Sequence, residues 1–431
     1  MAHQLGIGLL GLGNVGGGVA HLLIEGRDRL IERRGLQLEV RRAAVRDLSR
    51  PRRVELPPGV LTTDPGAVVD DPDVQIVAEQ MGGIEPARTL LLRALRNGKD
   101  VVTANKAVIA ACGDELFQVA AQQGVDLMFE ASVCGGIPII RSLTEGLVAN
   151  RIQSLYGILN GTTNYILTRM TEEGGTFEEM LGQAQAKGFA EPDPTFDIDG
   201  TDAAQKLVIL ARIAFGSAVR LEQVFREGID RIGSQDIAFA RELGYTIKLL
   251  AVAKLTQDSR LEVRVHPAMI QAQALLASIR NEFNAVEVVG DAVGTQVFYG
   301  RGAGQLPTAS AVVSDIVDVA SRRSGGGRRA ENDWTREERL PVVPVEEVVT
   351  SYYFRFVVLD QPGVLAQITQ ILATEQISIE SVIQHGRSED TVPLIIMTHE
   401  APERAMRRAV ARIDRLSMVR EPTLVIRVER P

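Results

Sequence analysis

A glycine-rich turn between an apolar strand and a helix is the feature that most constrains how this chain can fold. Residues 5–10 form an apolar run that breaks into Gly-Leu-Gly-Asn-Val-Gly at 11–16, and apolar residues then recur at helical spacing over 19–23. A second apolar strand is predicted at 38–45, as expected within one βαβ unit. A plain structural turn is the alternative, but the flanking elements favour a dinucleotide-binding fold.

Each position in this turn has a physical role in binding a pyrophosphate. Gly11 permits the tight turn, Gly13 lets the backbone approach the ligand, and Gly16 allows the helix to pack closely on the strand. Asn14 and Val15 lie where the helix begins, and its N-terminal amides and dipole attract an anion. These five residues are the first cofactor-binding candidates.

The chain is too long for a single hydrophobic core. Its 431 residues predict three units, because domains usually hold about 100 to 200 residues. A net charge of -8 without a basic face argues against a nucleic-acid or membrane-surface partner. No apolar run approaches the roughly 18 residues that span a bilayer, and no basic leader is present, so we expect a cytoplasmic protein. Two cysteines and five scattered histidines give no zinc-like spacing.

Strands and helices continue to alternate up to about residue 129. The predicted elements are strands at 74–79, 100–103 and 125–129 and helices at 86–96 and 107–122. This alternation predicts an α/β fold with a Rossmann-type, doubly wound parallel sheet. Ligands of such sheets bind at the carboxyl ends of the strands, where Thr103 and Lys106 lie.

Charged residues at the edge of this sheet bear on the cofactor. Lys106 lies at a helix start, where the dipole prefers an anion, so a bound phosphate or carboxylate would resolve the conflict. A solvated lysine is the alternative. The second strand ends at Arg46 and Asp47, which would bind a ribose 2′-phosphate and a bare 2′-hydroxyl respectively. We expect Arg46 to favour NADP, with NAD as the other possibility.

The strict alternation ends within residues 130–140, where we place the crossover into a second domain. Glu130 and the carbonyls near Gly135 and Gly136 could form an oxygen-only pocket for a hard monovalent or divalent cation. Structural glycine turns are the alternative reading. Cys134 has no histidine near it in sequence, so we interpret it as a packing residue.

The middle of the chain predicts an α+β domain. Residues 155–167 are expected to form a strand, a turn and a helix capped near Thr162 or Thr163. A later glycine cluster that contains Gly302 and Gly304 is expected to bring the chain back to the cofactor, with a flexible loop as the alternative.

The most unusual segment is 184–206, which reads AQAKGFAEPDPTFDIDGTDAAQK and carries five acidic side chains. Its two prolines deny it a helix, and Thr201 or Asp202 can cap a new helix. Asp202 and Lys206 then share a face of that helix. On its own this pair can be an ordinary surface ion pair.

Three strings of this sequence resemble homoserine dehydrogenases, and a fourth resembles ACT-type regulatory domains. In the first, the matching positions are Ala184, Gly188, Asp193, Pro194, Asp197, Gly200, Asp202 and Lys206. The Thr-Ala-Asn-Lys string that ends at Lys106 and the Asn-Gly-Thr-Thr string at 160–163 are also similar to that family. The fourth is Asp-Gln-Pro-Gly-Val-Leu at 360–365, and the resemblance extends along nearly the whole chain.

This resemblance implies an NAD(P)-dependent interconversion of L-homoserine and L-aspartate 4-semialdehyde, in the biosynthesis of threonine, methionine and isoleucine. It implies that Glu191 and Asp202 hold the substrate amino group and that Lys206 transfers the proton. Lys106 would lie beside the nicotinamide and the substrate. The remaining implied substrate-side residues are Asp197, Gly161 and Thr162.

The resemblance also implies a bound monovalent cation and an allosteric effector. A sodium-like ion would be held by Glu130 and the backbones of Val133, Gly135 and Ile137. ACT-type domains bind amino acids and often pair their sheets between subunits, so we expect a homodimer or homotetramer. By analogy, the first effector to consider is L-threonine.

Together, pattern and resemblance divide the chain. Residues 1–134 are expected to form the dinucleotide-binding domain, completed by a helix at 305–321. Residues 135–304 form the catalytic and dimerisation domain. A polar linker at 322–346 follows, and 347–431 reads as βαββαβ, the ferredoxin-like order of an ACT domain.

Two other functions are compatible with parts of the sequence. An acylating semialdehyde dehydrogenase needs a nucleophilic cysteine with a histidine base, and neither Cys112 nor Cys134 has a histidine partner in sequence. A catalytically silent amino-acid sensor would need only the scaffold. Four intact charged residues favour the enzyme over the sensor: Lys106, Glu191, Asp202 and Lys206.

Overall fold

The computed structural model describes residues 3–52, 54–327, 334, 340–384 and 391–431. It divides into two compact units. Unit 1 comprises Met1–Gln153, Gln205–Leu221 and Asn284–Leu340, and unit 2 comprises Ser154–Ala204, Glu222–Phe283 and Pro341–Pro431.

The strands and helices follow the chain in this order. The strands are β1 (His3–Leu10), β2 (Leu36–Ala44), β3 (Leu61–Thr62), β4 (Ile76–Glu79), β5 (Asp100–Thr103), β6 (Leu127–Met128), β7 (Ile152–Ile158), β8 (Phe225–Arg226), β9 (Tyr245–Leu255), β10 (Leu261–Gln271), β11 (Phe283–Gly290), β12 (Gly294–Arg301), β13 (Val349–Leu359), β14 (Ile379–Gln384), β15 (Thr391–Thr398), β16 (Ala401–Pro402) and β17 (Leu424–Val428). The helices are α1 (Asn14–Glu25), α2 (Arg27–Arg34), α3 (Gly66–Val69), α4 (Ala87–Arg96), α5 (Lys106–Gln123), α6 (Ile139–Arg141), α7 (Gly161–Glu173), α8 (Phe177–Ala186), α9 (Thr195–Ile198), α10 (Thr201–Phe215), α11 (Ser234–Glu242), α12 (Gln305–Ser324), α13 (Val364–Thr374) and α14 (Glu403–Ile413).

Unit 1 contains a six-stranded sheet in the order β3-β2-β1-β4-β5-β6. Its neighbouring strands are parallel, and Ile7 of β1 pairs with Val40 on one side and Ile76 on the other. The sequence order reverses between β1 and β4, and open α/β sheets bind ligands at such a point. The predicted Rossmann-type sheet is confirmed, with the glycine turn following β1 at the reversal.

Helix α12 covers the core of unit 1. Its residues Val312 and Ile316 belong to the same buried cluster as Val19 and Leu23 of α1. Gly18 permits this close approach, because a Cβ there would lie 2.9 Å from the Cβ of Ala309. The helix predicted to return to the first domain therefore packs directly against the helix that follows the glycine turn.

Unit 2 contains the strand order β7-β9-β10-β17-β13-β15-β14, with β8 beside β10 and β16 beside β13. The predicted βαββαβ order of the C-terminal region is present as β13, α13, β14, β15, α14 and β17. Strand β17 pairs with β10 in parallel, with Ala268 opposite Arg427. The C-terminal fold thus shares a continuous sheet with the rest of unit 2.

A buried charge network lies at this joint between β10 and β17. The Arg264 guanidinium donates to Glu429 at 2.7 Å and to Glu262, and all three side chains are buried. Arg427 donates to Glu403 and, at 2.7 Å, to Glu227. These pairs replace the water that the charges lose on burial, so separating the two strands would leave unpaired charges.

The polar stretch after 321 does not begin as a solvated tether. Helix α12 continues to Ser324, where Arg322 pairs with Asp126 at 2.9 Å and Arg323 with Asp100 at 2.7 Å. The segment predicted as a linker from 322 therefore begins within a helix, whose last turn brings both arginines within reach of carboxylates. The other two arginines of the stretch, at 328 and 329, lie outside the described residues.

Three local expectations are corrected by the structure. Asn160, not Thr162 or Thr163, caps α7 by accepting the Thr163 amide. Thr201 and Asp202 lie inside α10. The proline segment holds one short helix, α9, immediately after its second proline, where proline is tolerated at a helix start. In the described part of the chain, no helix is both long and apolar enough to cross a bilayer.

Candidate active site

The glycine turn leaves open space beside Gly13 at the amino end of α1. Gly11 has φ of 99°, and a Cβ on Gly16 would lie 2.1 Å from the Gly11 carbonyl oxygen. A Cβ on Gly13 would meet nothing within 4 Å. Gly13 and Gly16 therefore differ in their structural roles. Gly16 is required for close packing, whereas Gly13 leaves open space beside the helix amides, where an anion can approach.

A rigid loop after β4 borders the same edge of the sheet. The buried Glu79 carboxylate accepts bonds from the Thr103 hydroxyl and from the amides of Met81 at 2.7 Å and Gly82 at 3.2 Å. Burial raises the pKa of Glu79. Asn105 caps α5, which begins at Lys106, so the half-buried lysine starts from a fixed backbone.

The sequence places Gln80 in the string 79–83 at the ligand-binding edge of the sheet but predicts no role for it. Both polar atoms of its side chain are buried without a hydrogen-bond partner within the described chain, and its Oε1 would lie 3.3 Å from a Cβ on Gly16. Buried amides normally have partners, so this one is available to a ligand at the glycine turn. Only the sheet order, which places the end of β4 beside β1, could have identified it.

Arg46 and Asp47 follow β2 and are both exposed. The Asp47 carboxylate accepts the amide of Ser49 at 2.8 Å and its hydroxyl at 2.6 Å, and these bonds lower the pKa of Asp47. Of the two candidate ribose-binding residues, Asp47 therefore already has its carboxylate bound to Ser49 in a local turn.

The predicted cation loop is compact. Glu130 is buried, and its carboxylate accepts the amides of Ile140 and Arg141, each at 2.8 Å. Burial raises its pKa. Cys134, at φ 54°, and Gly135, at φ 47°, are consecutive left-handed residues.

The donor set of this loop fits a hard cation. It offers one carboxylate and the carbonyls of Val133, Gly135 and Ile137, which are oxygen ligands of the kind that sodium accepts. Among the described residues there is no cluster of three or more His, Cys, Asp or Glu that could hold a metal ion. The carboxylate must share its lone pairs with the two helix amides. Gly302 lies close to the same loop. A Cβ on Gly135 would be only 2.6 Å from the Gly302 carbonyl oxygen, so the close approach requires glycine at 135.

On the substrate side, Asn160 joins two carboxylates within unit 2. Its Nδ2 donates to Asp197 and to Asp202, each at 2.8 Å. The Thr162 hydroxyl lies 3.0 Å from Asp197 and 2.7 Å from the Phe189 carbonyl. A Cβ on Gly161 would lie 2.7 Å from the Glu282 carbonyl oxygen, so glycine allows the start of α7 to pack here. The sequence prediction missed Asn160, although it lies in the Asn-Gly-Thr-Thr string.

Two predicted site residues fall outside this cluster. Within the described chain, the exposed Glu191 carboxylate makes no hydrogen bond to it. Gly304, with φ 119°, immediately precedes α12 in unit 1. Lys206 is half-buried on α10, one helical turn after Asp202. This helix therefore carries both the buried carboxylate and the ammonium.

A parallel sheet with a glycine turn at its order reversal, together with these ionisable residues, defines the class of a nicotinamide-dependent dehydrogenase. Family models match in three segments: a homoserine dehydrogenase NAD-binding domain at 11–130, a homoserine dehydrogenase domain at 138–317 and an ACT domain at 352–417. The chain belongs to the homoserine dehydrogenase family.

Known relatives match over the whole length. The chain is 47% identical to a homoserine dehydrogenase of Synechocystis sp., covering 98% of this chain and 99% of the relative. A solved homoserine dehydrogenase from Thiobacillus denitrificans has 45% identity and a TM-score of 0.93, covering 100% and 99% of the two chains. A hyperthermophilic archaeal homoserine dehydrogenase in complex with NADPH has 27% identity and a TM-score of 0.62, covering 74% of this chain and 98% of the other.

Proposed function

We propose that this homoserine dehydrogenase interconverts L-homoserine and L-aspartate 4-semialdehyde at the residues described above, in the biosynthesis of threonine, methionine and isoleucine. The observation that carries the proposal is the Asn160 bridge, which fixes Asp197 and Asp202 beside the start of the helix that also bears Lys206. A buried carboxylate held in place, such as that of Asp202, suits a substrate ammonium. A nicotinamide cofactor, when bound, supplies or accepts the hydride.

In this proposal each polar residue has one role. Asp202, with Glu191, binds the substrate ammonium, while Asp197, Gly161 and Thr162 form the surrounding wall. The Lys206 ammonium hydrogen-bonds the reacting oxygen, donates a proton during reduction and recovers it in the reverse direction. Lys106 lies beside the cofactor and the substrate. The domain boundaries predicted above remain part of the proposal.

Replacing Lys206 tests the proposal. Lys206→Ala should remove turnover of homoserine, measured as reduced-nicotinamide absorbance, while leaving the folded state intact by circular dichroism. Lys254→Ala, at a partly exposed ion pair on β9, is the matched control and should retain activity. Full activity of Lys206→Ala would refute the assignment. A folded wild-type protein with no absorbance change would instead favour a silent amino-acid sensor.

We propose NADP as the preferred cofactor, bound by the glycine turn, with Thr103, Gly302 and Gly304 nearby. Exposed Arg46 would bind the 2′-phosphate, and the engagement of Asp47 with Ser49 supports this choice. The archaeal relative solved with NADPH adds support by analogy. Arg46→Ala should shift the ratio of NADP to NAD affinities toward NAD, whereas exposed Arg50→Ala should not. An unchanged ratio in Arg46→Ala contradicts the proposal.

We propose sodium as the cation of the Glu130 loop. Equal ionic strengths of sodium chloride and choline chloride should give different thermal midpoints in the wild type, and Glu130→Gln should reduce that difference. Equal midpoints in the wild type would contradict a bound sodium ion.

We further propose a homodimer or homotetramer regulated by an amino acid at the Asp360–Gly363 turn, with L-threonine the first candidate. Gly363 has φ of 90°, a conformation that opens this turn before α13. Calorimetry should detect threonine binding that Asp360→Ala weakens, and light scattering should give two or four chains. A monomer, or binding unaffected by the substitution, would contradict these assignments.

A further inference from the structure

The segment between α12 and β13 contains a buried tryptophan. Trp334 is the one tryptophan of the chain, and it is 4% exposed although it lies in a polar stretch. A large aromatic ring becomes buried only where a pocket receives it. Five residues of the same unit, unit 1, contact the tryptophan: Gly113, Asp114, Phe117, Phe129 and Arg212.

One side of the pocket is built mainly by α5. The Trp334 ring stacks on Phe117, with centroids 4.8 Å apart, and meets the edge of Phe129 at 5.6 Å. Its Nε1 donates to Asp114 at 2.9 Å. Gly113 makes the space, because a Cβ there would lie 2.4 Å from the ring carbon Cζ2. Shape and hydrogen bonding thus both favour tryptophan here.

The other side of the pocket is built by α10. Buried Arg212 donates from Nε at 3.1 Å and from Nη2 at 2.6 Å to the Trp334 carbonyl, and its guanidinium lies 5.1 Å from the centre of the ring. Nη2 also pairs with Asp114 at 2.8 Å. A planar guanidinium that binds a carbonyl, a ring and a carboxylate together has little freedom to move.

These contacts connect the helices of the two proposed active-site lysines. Gly113 lies two turns after Lys106 on α5, and Arg212 lies about 9 Å along α10 from Lys206. A shift of about 1 Å in a catalytic group can lower the rate about 100-fold. The distance between α5 and α10 must therefore stay constant for the two lysines to keep their relative positions.

We propose that Trp334 is a positioning residue, which through Asp114 and Arg212 fixes α10 against α5 and so sets the placement of Lys206 relative to Lys106. The inference rests on the proposed roles of these two lysines. In consequence, the segment that leads to the C-terminal regulatory fold contributes a side chain to the scaffold of the active site.

Fluorescence of the wild-type protein tests the pocket itself. Because Trp334 is the single tryptophan, its emission reports on this site alone. Blue-shifted emission with weak acrylamide quenching is expected. Emission like that of tryptophan in water would overturn the proposal.

Kinetics of four variants test the positioning role. Trp334→Ala should lower kcat about tenfold or more and shift the pH profile of kcat. Trp334→Phe keeps the stacking on Phe117 but loses the hydrogen bond to Asp114, so it should lower kcat less than Trp334→Ala. Arg212→Lys keeps the charge but loses the fork on the carbonyl, and it should lower kcat partially. Leu36→Ala, a core cavity on β2 of the same unit, should lower the thermal midpoint without changing the pH profile.

The outcomes separate this inference from the proposed function. If folded Trp334→Ala matches wild type in kcat and pH profile while Lys206→Ala is inactive, the positioning role is wrong and the proposed chemistry stands. If Trp334→Ala does not fold, Arg212→Lys decides, since wild-type kinetics in that variant overturn the proposal. If Lys206→Ala is active, the proposed function itself fails.

Discussion

Buried polar side chains with satisfied hydrogen bonds hold the candidate site at the scale of single residues. The Asn160 side-chain nitrogen donates to Asp197 and Asp202, and its oxygen accepts the Thr163 amide. Glu79 is held in the same way by a hydroxyl and two amides. In a low-dielectric setting such groups are well fixed when paired and costly when left alone.

Replacing Asn160 should affect both stability and substrate binding. Asn160→Ala removes a helix cap, which costs about 1 kcal/mol, and frees two carboxylates to repel one another, so the KM for homoserine should rise. Thr176→Ala removes the side-chain cap of α8 without removing a hydrogen bond to Asp197 or Asp202, and it is the control. Steady-state kinetics and denaturant unfolding measure both effects. An unchanged KM in Asn160→Ala would contradict the role of the bridge.

Lys248 should make stability depend on pH. It is buried on β9, where its ammonium donates to Asn164 at 2.9 Å, and burial lowers its pKa to about 8. Arg280 lowers this pKa further, and Glu172 opposes the shift. Since the unfolded pKa is higher, the folded state loses this proton first as pH rises. Deprotonation of Lys248 therefore favours the folded state. The resulting gain in unfolding free energy is complete above the unfolded pKa and is lost as pH falls through about 8.

The unfolding free energy should therefore rise between pH 8 and 10 by about 2 kcal/mol more in wild type than in Lys248→Met. Urea unfolding at several pH values measures this difference, in which other titrating groups cancel. Parallel curves for the two proteins would show that Lys248 does not titrate in this range.

At the scale of elements, the candidate site residues lie at or near the starts of four helices. Helix α1 begins at the glycine turn, α5 at Lys106, α7 beside Asn160 and α10 just before Asp202. Each start leaves backbone amides that a side chain or an anionic ligand must satisfy. Asn105 and Asn160 cap two of them, whereas the start of α1 has no side-chain cap. The uncapped start of α1 is compatible with the prediction that this helix binds the pyrophosphate.

Three glycine substitutions should separate packing from binding at this helix. Gly16→Ala forces a Cβ within 2.1 Å of the Gly11 carbonyl and should lower the thermal midpoint. Gly13→Ala places a Cβ in open space, so it should keep the midpoint but weaken cofactor affinity. Gly17→Ala, with its nearest neighbour atom at 3.7 Å, should change neither strongly. Nucleotide fluorescence titration and thermal unfolding distinguish the three, and unchanged affinity in Gly13→Ala would contradict the assigned path of the pyrophosphate.

At the scale of the whole molecule, the C-terminal fold is part of unit 2 and not an appendage. The Glu429 amide donates to the Met269 carbonyl at 2.9 Å, which extends the pairing of β17 with β10. The side chain of Glu429 pairs with buried Arg264, and despite the opposing effect of burial this charge lowers the pKa of Glu429 to about 2. An effector bound near β13 would thus act on a sheet shared with β9 and β10.

Breaking this joint should be strongly destabilising. Glu429→Gln leaves the Arg264 charge poorly compensated and should cost about 3 kcal/mol of unfolding free energy. Glu421→Gln, at an exposed pair with Arg355, should cost less than about 1 kcal/mol. Denaturant unfolding measures both. Equal small effects would mean that the two strands are held by backbone pairing alone.

The sequence by itself determined the classes of the elements and the family. Local patterns dictate the glycine turn, the alternation of strands and helices and the βαββαβ order, because periodicity and backbone restriction act within a few residues. The predicted strand at 100–103 agrees with the structure at both ends. The site residues named from the string at 184–206 follow from resemblance, and the roles given to them stay predictions.

Only the tertiary structure decided which polar groups meet. Asn160 bridges carboxylates 37 and 42 residues away, and Trp334 enters a pocket made by α5 and α10. The buried side-chain amide of Gln80 has no hydrogen-bond partner among the described residues. The sharing of one sheet by β10 and β17 is likewise invisible along the chain. The physical reason is that burial and hydrogen-bond pairing depend on distance in space, which separation in sequence does not fix.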